Sequence, residues 1–268
     1  KLAAGTRSLA TRRFDTRIDV ESRDELGQLA ADFNAMARTL ENDEHMRQQW
    51  ISDIAHELRT PLAILRGEVE ALKDGVRKVN PDTLDSLHAE VRHLNKIVND
   101  LHELSLADAG MLSVKNEPVD CAQVLNETLR IFKRRFDQKQ IAVENSLENE
   151  SPVKVMGDAD RLQQIFSNLL ENTLRYIDLP GTLKIDHERT VNRLRLFLED
   201  SGPGVPEASL AKLFDRLYRV DRSRSRKQGG SGLGLSICKS IVTALGGEIR
   251  AANAAGGGLR IEIELPLT

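Results

Sequence analysis

The stretch ISDIAHELRTPL, residues 51–62, decides how the whole chain is read. It sets one histidine, His56, beside a carboxylate, Glu57, and one helical turn before a hydroxyl, Thr60. Around it the apolar residues keep steps of four and three: Ile51, Ala55, Leu58, Leu62, Leu65, Val69 and Leu72. That period marks a bundle or coiled-coil seam, so the stretch predicts a helix. With Ala55 and Leu58 on the seam, His56 and Thr60 fall together on the outer face. An exposed imidazole on a rigid helix serves a core poorly and makes a good acceptor. Pro61 lies within the same helix and is expected to kink it by removing a backbone donor.

Working outward, this helix should run to about Asp74, with DGVRKVNPD (74–82) as a turn. A second helix then repeats the heptad with Leu84, Leu87, Val91, Leu94, Val98 and Leu101. Two such helices cannot bury both faces alone, so the pattern predicts a four-helix bundle made by two chains, a homodimer. Upstream, Asp24 opens a helix with its own seam of Leu26, Leu29, Phe33, Met36 and Leu40. The step from Leu40 to Ile51 is a stutter, which locally unwinds a left-handed supercoil and gives a place where rotation can pass at low cost.

Composition narrows the remaining classes. The chain has 268 residues, 40% of them hydrophobic and 29% charged, enough for two or more domains. A net charge of −3 gives no whole-chain argument for nucleic acid or an anionic membrane surface. Cys121 and Cys238 lie far apart, with no disulfide or metal spacing, which fits a reducing compartment. His45, His88, His93, His102 and His187 lack the surroundings of His56 and read as ordinary polar residues. No apolar run reaches the ~18 residues of a membrane span, no signal peptide is visible, and the start KLAAGTRSLATRRF reads as part of something longer.

Beyond the loop AGMLSVKNEPVD (109–120), helices alternate with short β-rich runs. Helices are expected over 124–136, 158–176 and from about Ser231, and strands over 141–146, 183–187, 194–198, 248–251 and 259–265. This pattern predicts an α+β sandwich with helices on one face of a mixed sheet. Four stretches there carry polar or glycine-rich signals. QIFSNLLENTLRY (164–176) sets Asn168 and Asn172 one turn apart, beside the pair Glu171 and Arg175. EDSGPGVP (199–206) ends a strand with a carboxylate before Gly202 and Gly204, which permit close backbone approach. KLFDRLYRVDRSRSRKQ (212–228) places five basic residues and one acidic between Arg219 and Lys227. GGSGLGLSI (229–237) opens a helix whose free amides suit phosphate. It is neither a dinucleotide fingerprint nor a P-loop, since Leu235 breaks the first and no Gly-Lys-Ser/Thr follows.

Taken together and in this order, the motifs resemble those of two-component sensor histidine kinases over nearly the whole chain. ISDIAHELRTPL resembles the H-box, and DELGQLAADFNAMARTL (24–40) the second half of a HAMP linker. The resemblance implies a partial HAMP linker over 1–43, a dimerisation and histidine phosphotransfer hairpin over 44–110, and an ATP-binding domain over 116–268. The fold class is thus all-α HAMP and four-helix-bundle portions followed by an α+β two-layer sandwich of the Bergerat type. By resemblance to the N-box, Asn172 should ligate Mg²⁺, with Asn168 supporting, Arg175 approaching phosphate and Tyr176 near adenine. Asp200 in the G1-like box should accept the adenine amino proton, beside Gly202 and Gly204. Gly230, Gly232, Gly234 and Leu235 form the G2-like box, and the basic run a phosphate-screening lid. Leu217 departs from the family, where an aromatic is common, and that puts local packing in question.

The implied reaction is phosphoryl transfer from MgATP to His56, then to an aspartate of a response regulator, with no nucleic-acid partner. Glu57 would take the proton of the second ring nitrogen, and Thr60, in the family's acidic-x-x-Thr pattern, would orient water for regulator dephosphorylation. The full-length protein is expected to be anchored in a bacterial inner membrane, with this portion cytoplasmic. Two rival readings are a gyrase- or chaperone-like ATPase, which needs a carboxylate where Asn168 stands, and a dimeric scaffold without turnover. The H-box argues against the first, and intact His56, Asn172, Asp200 and the glycines argue against the second.

Overall fold

The computed structural model describes every residue except Lys1, 20–23, Asn149, Ser151 and 221–229. Most of the basic run predicted as a lid, and Gly229, therefore lie outside the described residues. The chain divides into two compact units, Lys1–Gly67 and Glu68–Thr268.

In the first unit, α1 (Leu2–Ala10) is followed by α2 (Glu25–Lys73), which continues into the second unit. The side chain of Asp24 accepts from the amides of Leu26 and Gly27 at 3.0 and 3.1 Å, the side-chain cap that stops α2 from starting elsewhere. A small core of Leu9, Ile18, Ala30, Phe33 and Ala37 joins the helices to the extended connector between them. Gly5 makes the approach possible: a Cβ there would stand 2.9 Å from Cζ of Phe33. Asn34 clamps the connector, accepting from the Ile18 amide at 2.8 Å and donating to its carbonyl at 2.7 Å. α2 remains one helix of 49 residues through both the stutter and Pro61. The seam therefore weakens without any break in backbone hydrogen bonding long enough to end the helix.

The second unit opens with α3 (Pro81–Asp108), where Asn80 caps the Thr83 amide at 2.8 Å and Pro81 supplies the preset first turn. Next come β1 (Glu117–Asp120), α4 (Cys121–Gln138), β2 (Ile141–Asn145), β3 (Lys154–Gly157) and α5 (Ala159–Tyr176). β4 (Gly181–Arg189), β5 (Arg193–Asp200), α6 (Glu207–Leu210), α7 (Gly234–Ala244), β6 (Glu248–Asn253) and β7 (Leu259–Pro266) complete it. The main sheet has five strands in the order β2-β4-β5-β7-β6, parallel only at β2–β4. β1 and β3 pair separately as a small antiparallel sheet, which the sequence reading left as loop because four-residue strands show too little alternation.

The alternation along the sheet explains its two faces. Leu194, Leu196, Leu198, Leu259, Ile261, Ile263 and Leu265 are buried in the same core as the inner residues of α4, α5 and α7. The opposite face is a charged lattice: Arg195 bonds Glu262 at 2.6 Å and Glu188 at 2.9 Å, and the Arg260 guanidinium lies 4.3 Å from the centre of the Phe197 ring. The predicted sandwich, helices on one face of a mixed sheet, is what forms.

Asp158 fixes both α5 and the segment before β1. Its Oδ1 accepts from the amides of Asp160 and Arg161 at 3.0 and 3.3 Å, and its Oδ2 from the Lys115 amide at 3.0 Å. Burial pushes its carboxyl up, but these backbone donors outweigh it and hold the group below the usual value. Asp158→Ala is expected to cost about 1–2 kcal/mol, read as a lower thermal midpoint at neutral pH. Since the folded value lies below the unfolded one, that stabilisation is lost as pH falls through the folded value. The gap between variant and parent should therefore narrow as pH falls below the ordinary carboxylate range.

Candidate functional site

α5 is the spine of the nucleotide site. Leu162, Ile165, Phe166, Leu169, Leu170, Thr173 and Leu174 are buried on one side, which turns Asn168, Asn172 and Arg175 to the other. Asn168 donates from Nδ2 to the Gly234 carbonyl at 3.5 Å. Arg175 packs on the Gly230 backbone so closely that a Cβ there would come within 2.0 Å of its Nη1. At the end of α5, the Tyr176 carbonyl lies 3.2 Å from where a Gly202 Cβ would stand. One helix thus brings the glycine stretch of residues 230–234 along its C-terminal half and the turn after β5 to its C-terminal end. Tyr176 keeps its side chain 41% exposed, open to a stacking partner. Asn172 is half-buried and makes no hydrogen bond to a described residue, so its amide oxygen suits a hard cation that takes oxygen ligands.

Asp200 sits at the end of β5 in a mostly buried setting. Both hydrogen bonds it accepts fall on Oδ1, from the amides of Gly202 and Leu259, each at 3.0 Å. Oδ2 is left for a donor from outside, such as an exocyclic amine. Burial pushes the carboxyl up from its ordinary value, with the Glu199 charge adding to it, while the two backbone bonds oppose the shift. Gly204, at φ +67°, is enclosed by Asn253 and the Gly258 carbonyl, and Asn253 bonds both the amide and the carbonyl of Val205.

The glycine stretch turns at Gly232, φ +70°, against the Leu217 backbone, whose amide donates to the Gly232 carbonyl at 3.0 Å. Leu217 itself adopts φ +59° and packs on the core, so the departure from an aromatic is accommodated. α7 then begins at Gly234 with no side chain among the described residues capping it, unlike α3, α4 and α5, whose first amides are taken by Asn80, Asp120 and Asp158. Its first-turn donors are therefore available to an anion. The Leu235 side chain packs on the core, leaving its backbone as the part that can face a ligand. Cys121 and Cys238 are buried, and burial pushes both thiols up to about 12, which makes them packing residues.

His56, Glu57 and Thr60 lie on α2, with His56 and Thr60 exposed and Glu57 half-buried. The Thr60 hydroxyl donates to the His56 carbonyl at 3.2 Å. That back-bond is the local role open to any helical threonine. The sequence reading missed the backing of Asp200. Gly258, at φ +96°, abuts it so tightly that a Cβ would lie 1.7 Å from the Asp200 carbonyl oxygen. The run Gly256–Gly258 was the available signal.

A nucleotide site on a Bergerat-type sandwich, joined to helices carrying an exposed H-box histidine, defines the class. The chain belongs to the sensor histidine kinase family. Its residues 1–42 match the HAMP domain, 46–110 the His Kinase A (phospho-acceptor) domain, and 157–268 the histidine kinase-, DNA gyrase B- and HSP90-like ATPase. Within the family it is similar to the signal transduction histidine-protein kinase BaeS of Escherichia coli K12, 49% identical over all of this chain and 57% of that protein. The sensor histidine kinase WalK of Bacillus subtilis is 30% identical over 93% of this chain and 44% of that protein. The chain thus spans about half the length of the curated relatives it matches. Among solved structures, the Acinetobacter baumannii histidine kinase AdeS is 31% identical, covers 80% of this chain and 98% of its own, and superposes with a TM-score of 0.68. The histidine kinase ThkA, solved with its response regulator TrrA, shares the fold at 24% identity over 85% of this chain and 64% of its own, with a TM-score of 0.59. Among the described residues, no helix is long and apolar enough to cross a membrane.

Gly258→Ala should weaken nucleotide binding by about tenfold or more, because the new Cβ displaces the strand end that carries Asp200. Gly256→Ala, with no atom within 4 Å of the added carbon, is the control and should bind as the parent does. Calorimetric titration with an unhydrolysed ATP analogue measures both.

Proposed function

We propose that the chain is the catalytic portion of an ATP-dependent protein-histidine kinase. It would phosphorylate His56 and pass the phosphoryl group to an aspartate on a response regulator. The observation that carries this reading is the convergence of Asn168, Arg175, the glycine stretch and Asp200 around α5, in one chain with an exposed histidine in a phospho-acceptor segment. A gyrase-like ATPase shares the sandwich but not residues 46–110. The proposed organisation is a HAMP linker over 1–43, a dimerisation and phosphotransfer hairpin over 44–110 and an ATP-binding domain over 116–268.

In this reading Asp200 accepts the adenine amino proton through Oδ2, and Tyr176 covers the base. Gly202 and Gly204 give the ring room, while Gly230, Gly232, Gly234 and the Leu235 amide cradle phosphate with Arg175. Asn172, supported by Asn168, would hold Mg²⁺, which when bound neutralises phosphate charge. A neutral His56 nitrogen attacks the γ-phosphorus, the bond to the ADP oxygen breaks, and the proton on the other ring nitrogen passes to Glu57. Because acceptor and nucleotide lie on different segments, residues 109–116 act as the hinge. The seam residues Ile51, Leu62, Val69, Leu84, Val91 and Val98 are 44–61% exposed in a single chain, which supports a homodimer that covers them. The intact protein is read as membrane-anchored, with this portion in the cytoplasm.

Incubation with γ-labelled ATP should give an acid-labile, alkali-stable label on the parent, the signature of a phosphohistidine. His56→Gln should abolish it with ATP affinity unchanged. Label retained by that variant would move the acceptor elsewhere.

Thr60 is assigned a second activity, orienting water against the regulator's phospho-aspartate once its hydroxyl leaves the His56 carbonyl. Thr60→Ala should keep autophosphorylation and transfer but lose most regulator dephosphorylation, assayed side by side on purified dimer. Loss of all three would reduce Thr60 to a helix-shaping residue.

A further inference from the structure

The turn that follows β5 is held from a single rung of the β6–β7 hairpin. Asn253, the last residue of β6, stands opposite Leu259, the first of β7. The Leu259 amide donates to Oδ1 of Asp200 at 3.0 Å and fixes where the turn begins. The Asn253 side chain fixes where it ends: its Oδ1 accepts from the Val205 amide at 2.9 Å, and its Nδ2 donates to the Val205 carbonyl at 2.8 Å. The rung is itself anchored, since the Ala254 amide donates to the Gly258 carbonyl at 3.0 Å. Asn253 also closes on the turn, where a Cβ at Gly204 would stand 2.8 Å from its Oδ1.

Between those two holds the chain reads Ser-Gly-Pro-Gly, residues 201–204. Its two glycines have wide conformational freedom, so the turn needs an outside hold to keep one shape. That shape matters to Asp200, because the Gly202 amide supplies the second hydrogen bond to Oδ1, at 3.0 Å. With the far end of the turn released, this donor drifts and the carboxylate keeps a single backbone partner, about which it can rotate. Asn253 is exposed and belongs to no apolar core. A side chain so placed, with donor and acceptor both spent on one residue of another segment, orders that segment rather than the core.

We propose that Asn253 is a positioning residue for base selection: by pinning Val205 it keeps the Gly202 amide on Oδ1 of Asp200, and so keeps Oδ2 aimed at the exocyclic amine of the base. This rests on the reading of Asp200 as acceptor of the adenine amino proton. Asn253 itself touches no ligand and acts through Val205 and Gly202. Its effect is confined to the part of the affinity that comes from the amine, since Arg175 and the start of α7 lie on other segments.

Calorimetric titration of the full chain with ADP and with the diphosphate of purine riboside tests this. The second ligand keeps ring, ribose and phosphates but carries hydrogen in place of the amine. The parent should prefer ADP by about tenfold or more. Asn253→Ala should weaken ADP by roughly three- to tenfold and leave the purine riboside ligand within about twofold, so that the preference shrinks. Asn253→Asp keeps the shape of the side chain but sets a carboxylate oxygen against the Val205 carbonyl, and should shrink the preference at least as far. A residue that only supported the fold would weaken both ligands alike and would tolerate aspartate. The role of Asn253 is overturned if either variant keeps the parent's preference, or if both ligands weaken by the same factor. A parent that shows no preference removes Asp200 as the base acceptor, and this inference falls with it; a preference present in the parent and retained in the variants removes Asn253 alone.

Discussion

Burial of the apolar side of α5 is the constraint from which the nucleotide site follows. Fully burying an aliphatic or phenyl side chain is worth about 1.5–3 kcal/mol, and α5 buries Leu162, Ile165, Phe166, Leu169, Leu170 and Leu174. No rotation of the helix keeps that gain while hiding Asn168, Asn172 or Arg175. The polar stripe must face the glycine stretch and the turn after β5, and those segments close on it because their glycines permit contacts that a Cβ would block. Asp158 adds the axial restraint, since its cap sets where the helix begins and so where along the sheet each stripe residue falls.

Electrostatics then divide the site. Asp200 spends one oxygen on the backbone, and the other makes no hydrogen bond to a described residue, in a setting where burial raises its proton affinity. Around the glycine stretch the protein offers the start of α7, without a side-chain cap among the described residues, and the guanidinium of Arg175. A ligand with a neutral hydrogen-bonding head and an anionic tail matches that polarity; the reverse orientation would set anion against carboxylate. The match to an ATP-binding family model over residues 157–268 agrees with that polarity.

The parts legible in the sequence are those with period or chemistry of their own. The heptads give α2 and α3, Asp24 and Asp158 mark helix starts, and long alternating runs give β5 and β7. What escaped is set by partners distant in sequence. β1 and β3 are strands because they pair with one another, not because EPVD or KVMG alternate. Gly258 matters because Asp200 passes beside it, and Asn253 because Val205 does. The helix expected from Ser231 begins at Gly234, since Gly232 takes a left-handed turn and the Ser231 hydroxyl is spent on the Leu233 amide. The contact of α3 with the ATP-binding domain was equally invisible, since nothing in the heptad singles out Glu103 or Asp108, whose partners Arg161 and Arg216 lie far along the chain.

That last case bears on how one helix serves two ends. α3 presents Val91 and Val98 on an uncovered seam, and Leu104 on the face that enters the ATP-binding domain. A helix with one apolar stripe can bury it in one place; α3 divides its length so that its N-terminal turns are left for a bundle and its C-terminal turns grip the domain. Firm apolar packing at both ends would fix the domain permanently and leave the hinge proposed at residues 109–116 without purpose. Placing carboxylates around Leu104 instead makes the grip depend on ion pairs that water can replace at small net cost, since such partly exposed pairs contribute about 0–1 kcal/mol each. Glu103 and Asp108 thus grip the domain beside Leu104 without a second apolar stripe on the helix.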